Sequence, residues 1–124
     1  MKKTGLLLLV ATLLLTVCAV SFMGCRLSSM SLDEAKSNLK EAGYEVTVMT
    51  AQEYVEAGND DYFGLETYLY AVKGSDKIYM YFFNTVDNAS DSSTFITGGS
   101  GLYSGQNNEL VYLATKQARK DAKL

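Results

Sequence analysis

The pattern of apolar and polar positions divides the chain into two unlike parts. From residue 6 to residue 23 there is no charge at all, with Leu6 to Val10 and Leu13 to Leu15 forming a continuous apolar run behind Lys2 and Lys3. After residue 30 the apolar positions become periodic. Leu32, Ala35, Leu39 and Ala42 recur at helical spacing. Ser31-Leu32-Asp33-Glu34 has the form of a capping box, and Met30 and Ala35 are placed for a hydrophobic staple. Gly43 is the expected stop, because glycine alone adopts the left-handed conformation there without a side-chain clash. The pattern predicts a helix over 31–42.

The period then changes to two. Tyr44, Val46 and Val48 alternate with Glu45, Thr47 and Met49, which predicts a first strand over 44–49. The acidic stretch that follows predicts a short helical turn capped by Thr50 and running to Ala57, then a loop through Gly58-Asn59-Asp60-Asp61. Segments 65–72 and 78–83 are the strongest strand signal. With Gly74-Ser75 as a two-residue type II′ turn, the register follows: Ala71 faces Ile78, Leu69 faces Met80 and Thr67 faces Phe82, while Tyr70 faces Tyr79 and Tyr68 faces Tyr81 on the other side. Thr85, Val86, Ala89, Ser93 and Ile96 suggest a second full helix, whose body of Asn, Ser and Asp competes for backbone hydrogen bonds. After Gly98-Gly99-Ser100-Gly101, strands over 102–106 and 109–114 flank an expected hairpin turn at Asn107-Asn108, and Thr115 opens a last helix ending near Lys123. The fold class expected is α+β: an antiparallel sheet of about five strands with two to three helices, mainly on one face, preceded by a hydrophobic signal helix.

Charge and composition narrow the function classes. The chain has 11 Lys+Arg against 14 Asp+Glu; without Lys2 and Lys3, which stand before the apolar run, 9 cations face 14 acids, a net charge of −5. An acidic domain is a poor partner for nucleic acid, whose binding rests on neutralising phosphates. His, Trp and Pro are absent, which removes the commonest general base and the commonest neutral metal ligand. No cofactor and no metal site is expected.

The start of the chain has the three-part grammar of a secretory signal. Its end, Phe22-Met23-Gly24-Cys25, resembles the lipobox of bacterial lipoproteins, in which a small residue precedes an invariable cysteine. The resemblance implies cleavage after residue 24, a diacylglyceryl group on Cys25, and stable anchoring on the outer side of the cytoplasmic membrane. Residues 1–24 are then the signal, 25–30 the lipidated cysteine and tether, and 31–124 a single domain. Cys18, with a bulky Val17 before it, departs with the signal, so no cysteine remains for a disulfide. The competing readings are an uncleaved membrane helix, since the run is near the length that spans a bilayer, and a plain cleaved signal. Leader, tether, capped helix and Tyr-rich hairpin together resemble the small uncharacterised lipoproteins of Gram-positive bacteria, a likeness that implies no activity.

Several side-chain groupings are candidate sites. Tyr68, Tyr70, Tyr79 and Tyr81, joined by Tyr112 from the last strand, are expected to line one open face of the sheet. Such a face suits stacking on a glycan, a peptide or an envelope protein; cross-strand stabilisation of the sheet is the simpler account. Glu53, Glu56, Asp60, Asp61 and Glu66 lack the spacing of a Ca²⁺ loop and read as a solvated segment. Gly99-Ser100-Gly101 stands in the wrong context for a dinucleotide loop, and Ser37-Asn38-Leu39-Lys40 matches Ser-x-x-Lys only by chance. Lys116, Arg119, Lys120 and Lys123 form a basic stripe on the last helix. It complements the helix C-terminus or, with a short tether, faces anionic head groups. The function expected is a non-enzymatic, lipid-anchored accessory or binding domain; the alternative is a small envelope hydrolase using carboxylates.

Overall fold

The computed structural model describes residues 30–124. The leader, Cys25 and the tether up to residue 29 lie outside the described residues. Helix α1 spans Leu32–Glu41, and the Ser31 hydroxyl accepts a hydrogen bond from the Glu34 N–H at 3.2 Å. Its end is a Schellman motif: Gly43, at φ +92°, donates to Lys40 O, and Tyr44 N–H donates back to Leu39 O at 2.9 Å. Strand β1 (Glu45–Thr50) follows, and helix α2 (Ala51–Glu56) opens on a complete capping box between Thr50 and Glu53. Strands β2 (Leu65–Lys73) and β3 (Asp76–Phe83) form the central hairpin. Helix α3 (Val86–Ser93), capped by Thr85, leads to β4 (Tyr103–Asn107), β5 (Leu110–Ala114) and helix α4 (Lys116–Asp121).

All five strands are antiparallel, in the spatial order β1-β2-β3-β5-β4. The β2–β3 register is the one the two-residue turn predicts: Tyr68 pairs with Tyr81, Leu69 with Met80, Tyr70 with Tyr79 and Ala71 with Ile78, with Gly74 at φ +60°. A bulge at Glu66 shifts the ladder so that Leu65 opposes Phe83 and Thr67 opposes Phe82. Because side chains alternate across a strand, this register sorts the sheet into two faces. One carries Leu69, Ala71, Ile78, Met80, Leu110 and Ala114, sealed by Ala35 and Leu39 of α1, by Ala118 of α4 and by Ala122 at the end of α4. The other carries Tyr68, Tyr81, Phe83, Val111 and Leu113, covered by Tyr54 of α2 and by Ala89 and Ile96 of and just after α3.

Among the described residues the architecture is therefore α+β with a five-stranded antiparallel sheet, but with four helices, two on each face. The central strands are apolar on both sides once tyrosine rings are counted as apolar area, so each side requires cover. In α3 the buried stripe is Ala89, Ser92 and Ile96, while Val86 stays exposed; a polar helix body persists because Thr85 caps it and this narrow stripe packs on the sheet. The β4–β5 turn also differs by one residue. Asn107 pairs with Leu110, so the turn is Asn108-Glu109, with Asn108 taking the left-handed conformation at φ +54°. Thr115 does not cap α4 with its side chain; its hydroxyl instead accepts from Lys77 N–H at 3.2 Å, tying the helix start to β3.

On the first face α1 and α4 are joined by polar contacts as well as by packing. Tyr44 OH donates to Asp121 Oδ2 at 2.8 Å, Asn38 Nδ2 donates to Ala122 O at 3.1 Å, and the Lys73 ammonium lies 5.8 Å from the centre of the Tyr44 ring. Tyr112 belongs to this face too, since it alternates with Val111 and Leu113. Its ring lies across Gly105 of β4, where an added Cβ would meet ring atoms at 2.3 Å. Backbone conformation does not require glycine at 105; the ring above it does. Gly105→Ala is expected to cost about 1–3 kcal/mol by overpacking. Gly99→Ala, with nothing within 4 Å, is expected to leave urea denaturation unchanged; equal midpoints for the two variants would refute this.

Candidate functional site

The tyrosines of the central hairpin do not form an open ladder of five. Tyr68 and Tyr81 are buried, 9% and 7% exposed, because α2 lays Tyr54 over them. The Tyr54 ring centre is 4.5 Å from that of Tyr68 and 5.9 Å, edge-on, from that of Tyr81, and Tyr62 from the following loop meets Tyr81 edge-on at 5.9 Å. Tyr70 and Tyr79, one pair nearer the Gly74 turn, stay half-buried and stack at 5.0 Å with ring planes 27° apart. Tyr112 is on the opposite face, against Gly105. The expected grouping is thus corrected to a cluster of three buried rings, Tyr54, Tyr68 and Tyr81, flanked by half-buried Tyr62, a half-open pair and a separate core ring. The cause is α2, whose Tyr54 supplies apolar cover that the acidic composition of its segment conceals.

Such edge-on and offset ring pairs add about 0.5–1.5 kcal/mol each beyond area burial. They also hold hydroxyls where charge is costly. Burial raises the Tyr68 and Tyr81 hydroxyls well above the usual 10.0, with neighbouring Tyr54 the next cause for both. Tyr44 is raised first by burial and then by its hydrogen bond to Asp121, whose own carboxyl is lowered by that bond and by Gln117.

The accessible concavity lies elsewhere, between β4 and α4. Tyr103, Ser104, Lys116 and Arg119 line an open groove of about 360 Å³. Tyr103 pairs with Ala114, a residue of the first core, so it stands on the same face as α4, at the margin of the sheet and 59% exposed. Lys116 and Arg119 are one helical turn apart, which brings both cations to the same side of α4, while Ala118 and Ala122 turn into the core. Of the four-residue basic stripe, these two line the groove, whereas Lys120 and Lys123 are exposed and do not. A guanidinium and an ammonium beside a flat ring can hold a carboxylate or another anion and stack on the group that carries it.

On the other side of β4, Ser93, Ser104, Gln106 and Val111 line a second, smaller recess of about 180 Å³. There Gln106 Nε2 donates to Ser90 Oγ at 2.9 Å and to Asn108 O at 3.0 Å, which pins its side chain toward α3. Sequence reasoning found the cations but missed Tyr103, whose signal is an aromatic residue in a strand that otherwise reads Ser-Gly-Gln-Asn. Among the described residues, no group of three His, Cys, Asp or Glu side chains gathers as a metal site.

The raised tyrosines set an alkaline limit on stability. Their folded values lie above the unfolded 10.0, so the stabilisation is complete below about pH 10 and is lost as pH rises beyond it. Urea denaturation midpoints are expected to fall between about pH 8 and about pH 11, and to fall less in Tyr68→Phe/Tyr81→Phe. An equal loss in the variant would show that other groups dominate.

Compared with known proteins, the chain matches no family model, no curated protein and no solved structure.

Proposed function

We propose that this chain is a lipid-anchored binding domain on the outer side of the cytoplasmic membrane, held by lipid on Cys25. The observation that carries the reading is the leader: Lys2 and Lys3, a charge-free apolar run, and Phe22-Met23-Gly24-Cys25 at its end. The start of the fold supports it. Met30 already packs against the first core, so four residues, Arg26 to Ser29, separate the proposed lipid from the folded domain. Fully extended they reach about 14 Å, which keeps the domain close to the bilayer. Two acyl chains hold such a tether stably, where a single chain would not.

Binding is the part of the reading that the surface supports. The groove beside α4 combines two cations with an exposed aromatic ring on a domain that is acidic as a whole, an uneven distribution that favours an anionic partner. Glycan or protein capture at the half-open Tyr70–Tyr79 pair is a smaller surface of the same kind.

The anchor is checked by detergent phase partition of the chain expressed in a bacterium that lipidates proteins. Wild type is expected in the detergent phase at mature mass plus diacylglyceryl, and Cys25→Ala is expected to lose the lipid mass. Detergent partition of Cys25→Ala at full precursor mass, with wild type also unprocessed, would establish an uncleaved membrane helix instead.

A further inference from the structure

We propose that the outer edge of β4 is a strand-addition site for an extended acidic segment of a partner polypeptide. The proposal rests on the binding reading above and is independent of how the chain is anchored.

The hydrogen-bond parity of the sheet shows which groups of β4 face outward. Thr115 N–H donates to Lys77 O at 2.9 Å and Phe83 N–H donates to Glu109 O at 2.8 Å. Odd-numbered residues of β5 therefore bond to β3, and even-numbered ones are left for β4. Their partners there are Tyr103 for Ala114, Gly105 for Tyr112 and Asn107 for Leu110. The intervening residues, Ser104 and Gln106, turn both N–H and C=O away from β5. Among the described residues no strand follows β4 in the sheet order, and both residues are exposed. Natural edges are commonly guarded by a charge or a proline on the strand. Tyr103-Ser104-Gly105-Gln106-Asn107 has neither.

The recesses fit the same occupant. A strand laid along β4 sends alternate side chains to opposite faces. One set would enter the groove of Tyr103, Lys116 and Arg119, and the other the smaller recess of Ser93 and Gln106; Ser104 lines both. Main-chain bonds would supply affinity and the two recesses selectivity. The larger recess demands negative charge, because its only charged lining groups are Lys116 and Arg119. The smaller accepts a short polar side chain. A second copy of the chain pairing through the same edge would leave the cations of both copies unneutralised, whereas acidic side chains at alternate positions neutralise them.

The test uses the full chain in neutral detergent micelles and a fluorescein-labelled peptide alternating Glu and Thr. Saturable binding is expected, at least about ten-fold weaker in Lys116→Glu/Arg119→Glu, whose exposed positions leave the fold intact by circular dichroism. A peptide alternating Lys and Thr is expected not to bind. Two further probes carry N-methyl groups either on every Glu or on every Thr. Because the two sets of amides face opposite edges of the peptide, one series is expected to lose binding and the other to keep it. Equal binding by both methylated series would reduce the site to an electrostatic patch and overturn strand addition. Absence of peptide binding overturns it as well, whether the chain then self-associates through β4 or attaches to anionic vesicles instead. Repeating the titration with Cys25→Ala separates the two proposals: unchanged peptide affinity in a chain that has lost its lipid shows that the site stands apart from the anchor.

Discussion

The register of the β2–β3 hairpin is the constraint on which the rest of the structure depends. A two-residue turn at Gly74-Ser75 sets Lys73 opposite Asp76, and every pair out to Thr67–Phe82 follows from that one closure. A slip of one residue would exchange the aliphatic set Leu69, Ala71, Ile78 and Met80 with the aromatic set Tyr68, Tyr70, Tyr79 and Tyr81, and both helical layers would lose their seats. Glycine at 74 carries this register because its φ of +60° is one that residues with a Cβ adopt only at a cost.

Given two apolar faces, the domain must build two layers, and it does so from short helices. None of α2, α3 and α4 exceeds eight residues, a length at which isolated helices do not persist in water. Each is held at its ends and on one side: the Thr50–Glu53 capping box and Tyr54 for α2, the Thr85 cap and Ala89 for α3, and for α4 the tie from Thr115 to Lys77 and the bonds from Tyr44 and Asn38. The C-terminus is part of this, since Lys123 takes a left-handed conformation at φ +64° and Leu124 returns to pack on the first core.

The same arrangement determines where a partner can reach. With both faces covered, main-chain hydrogen-bonding groups of the sheet remain accessible at its margins. The β4 margin differs in that α4 and α3 stand on either side of it and leave recesses of unlike chemistry. Net charge says little about such a place. A domain acidic overall concentrates two cations beside one exposed ring, and local complementarity, more than the sum over the surface, governs which partner docks.

Most of the local structure was legible in the residues themselves. Ser31, Thr50 and Gly43 act at short range, through hydrogen bonds three or four residues away or through backbone sterics, so their effects can be read without the fold. The hairpin register was legible for the same reason. The number and placement of the helical layers were not, because tyrosine counts as polar in an alternation and as apolar in a core; only the position of Tyr54 over Tyr68 and Tyr81 decides which. Tyr112 shows the limit most directly. Its place in the strand order assigns it to one face or the other by the parity of its neighbours, and its role as the ring above Gly105 needs β4 to be beside β5. The groove of Tyr103, Lys116 and Arg119 likewise joins a strand to a helix beyond the next strand. The sequence by itself determined the caps at Ser31, Thr50 and Thr85, the Gly74-Ser75 turn and the central register, all of them short-range. Tertiary structure alone decided which aromatic rings are buried and which strand edge stays open, because burial and exposure depend on segments distant along the chain.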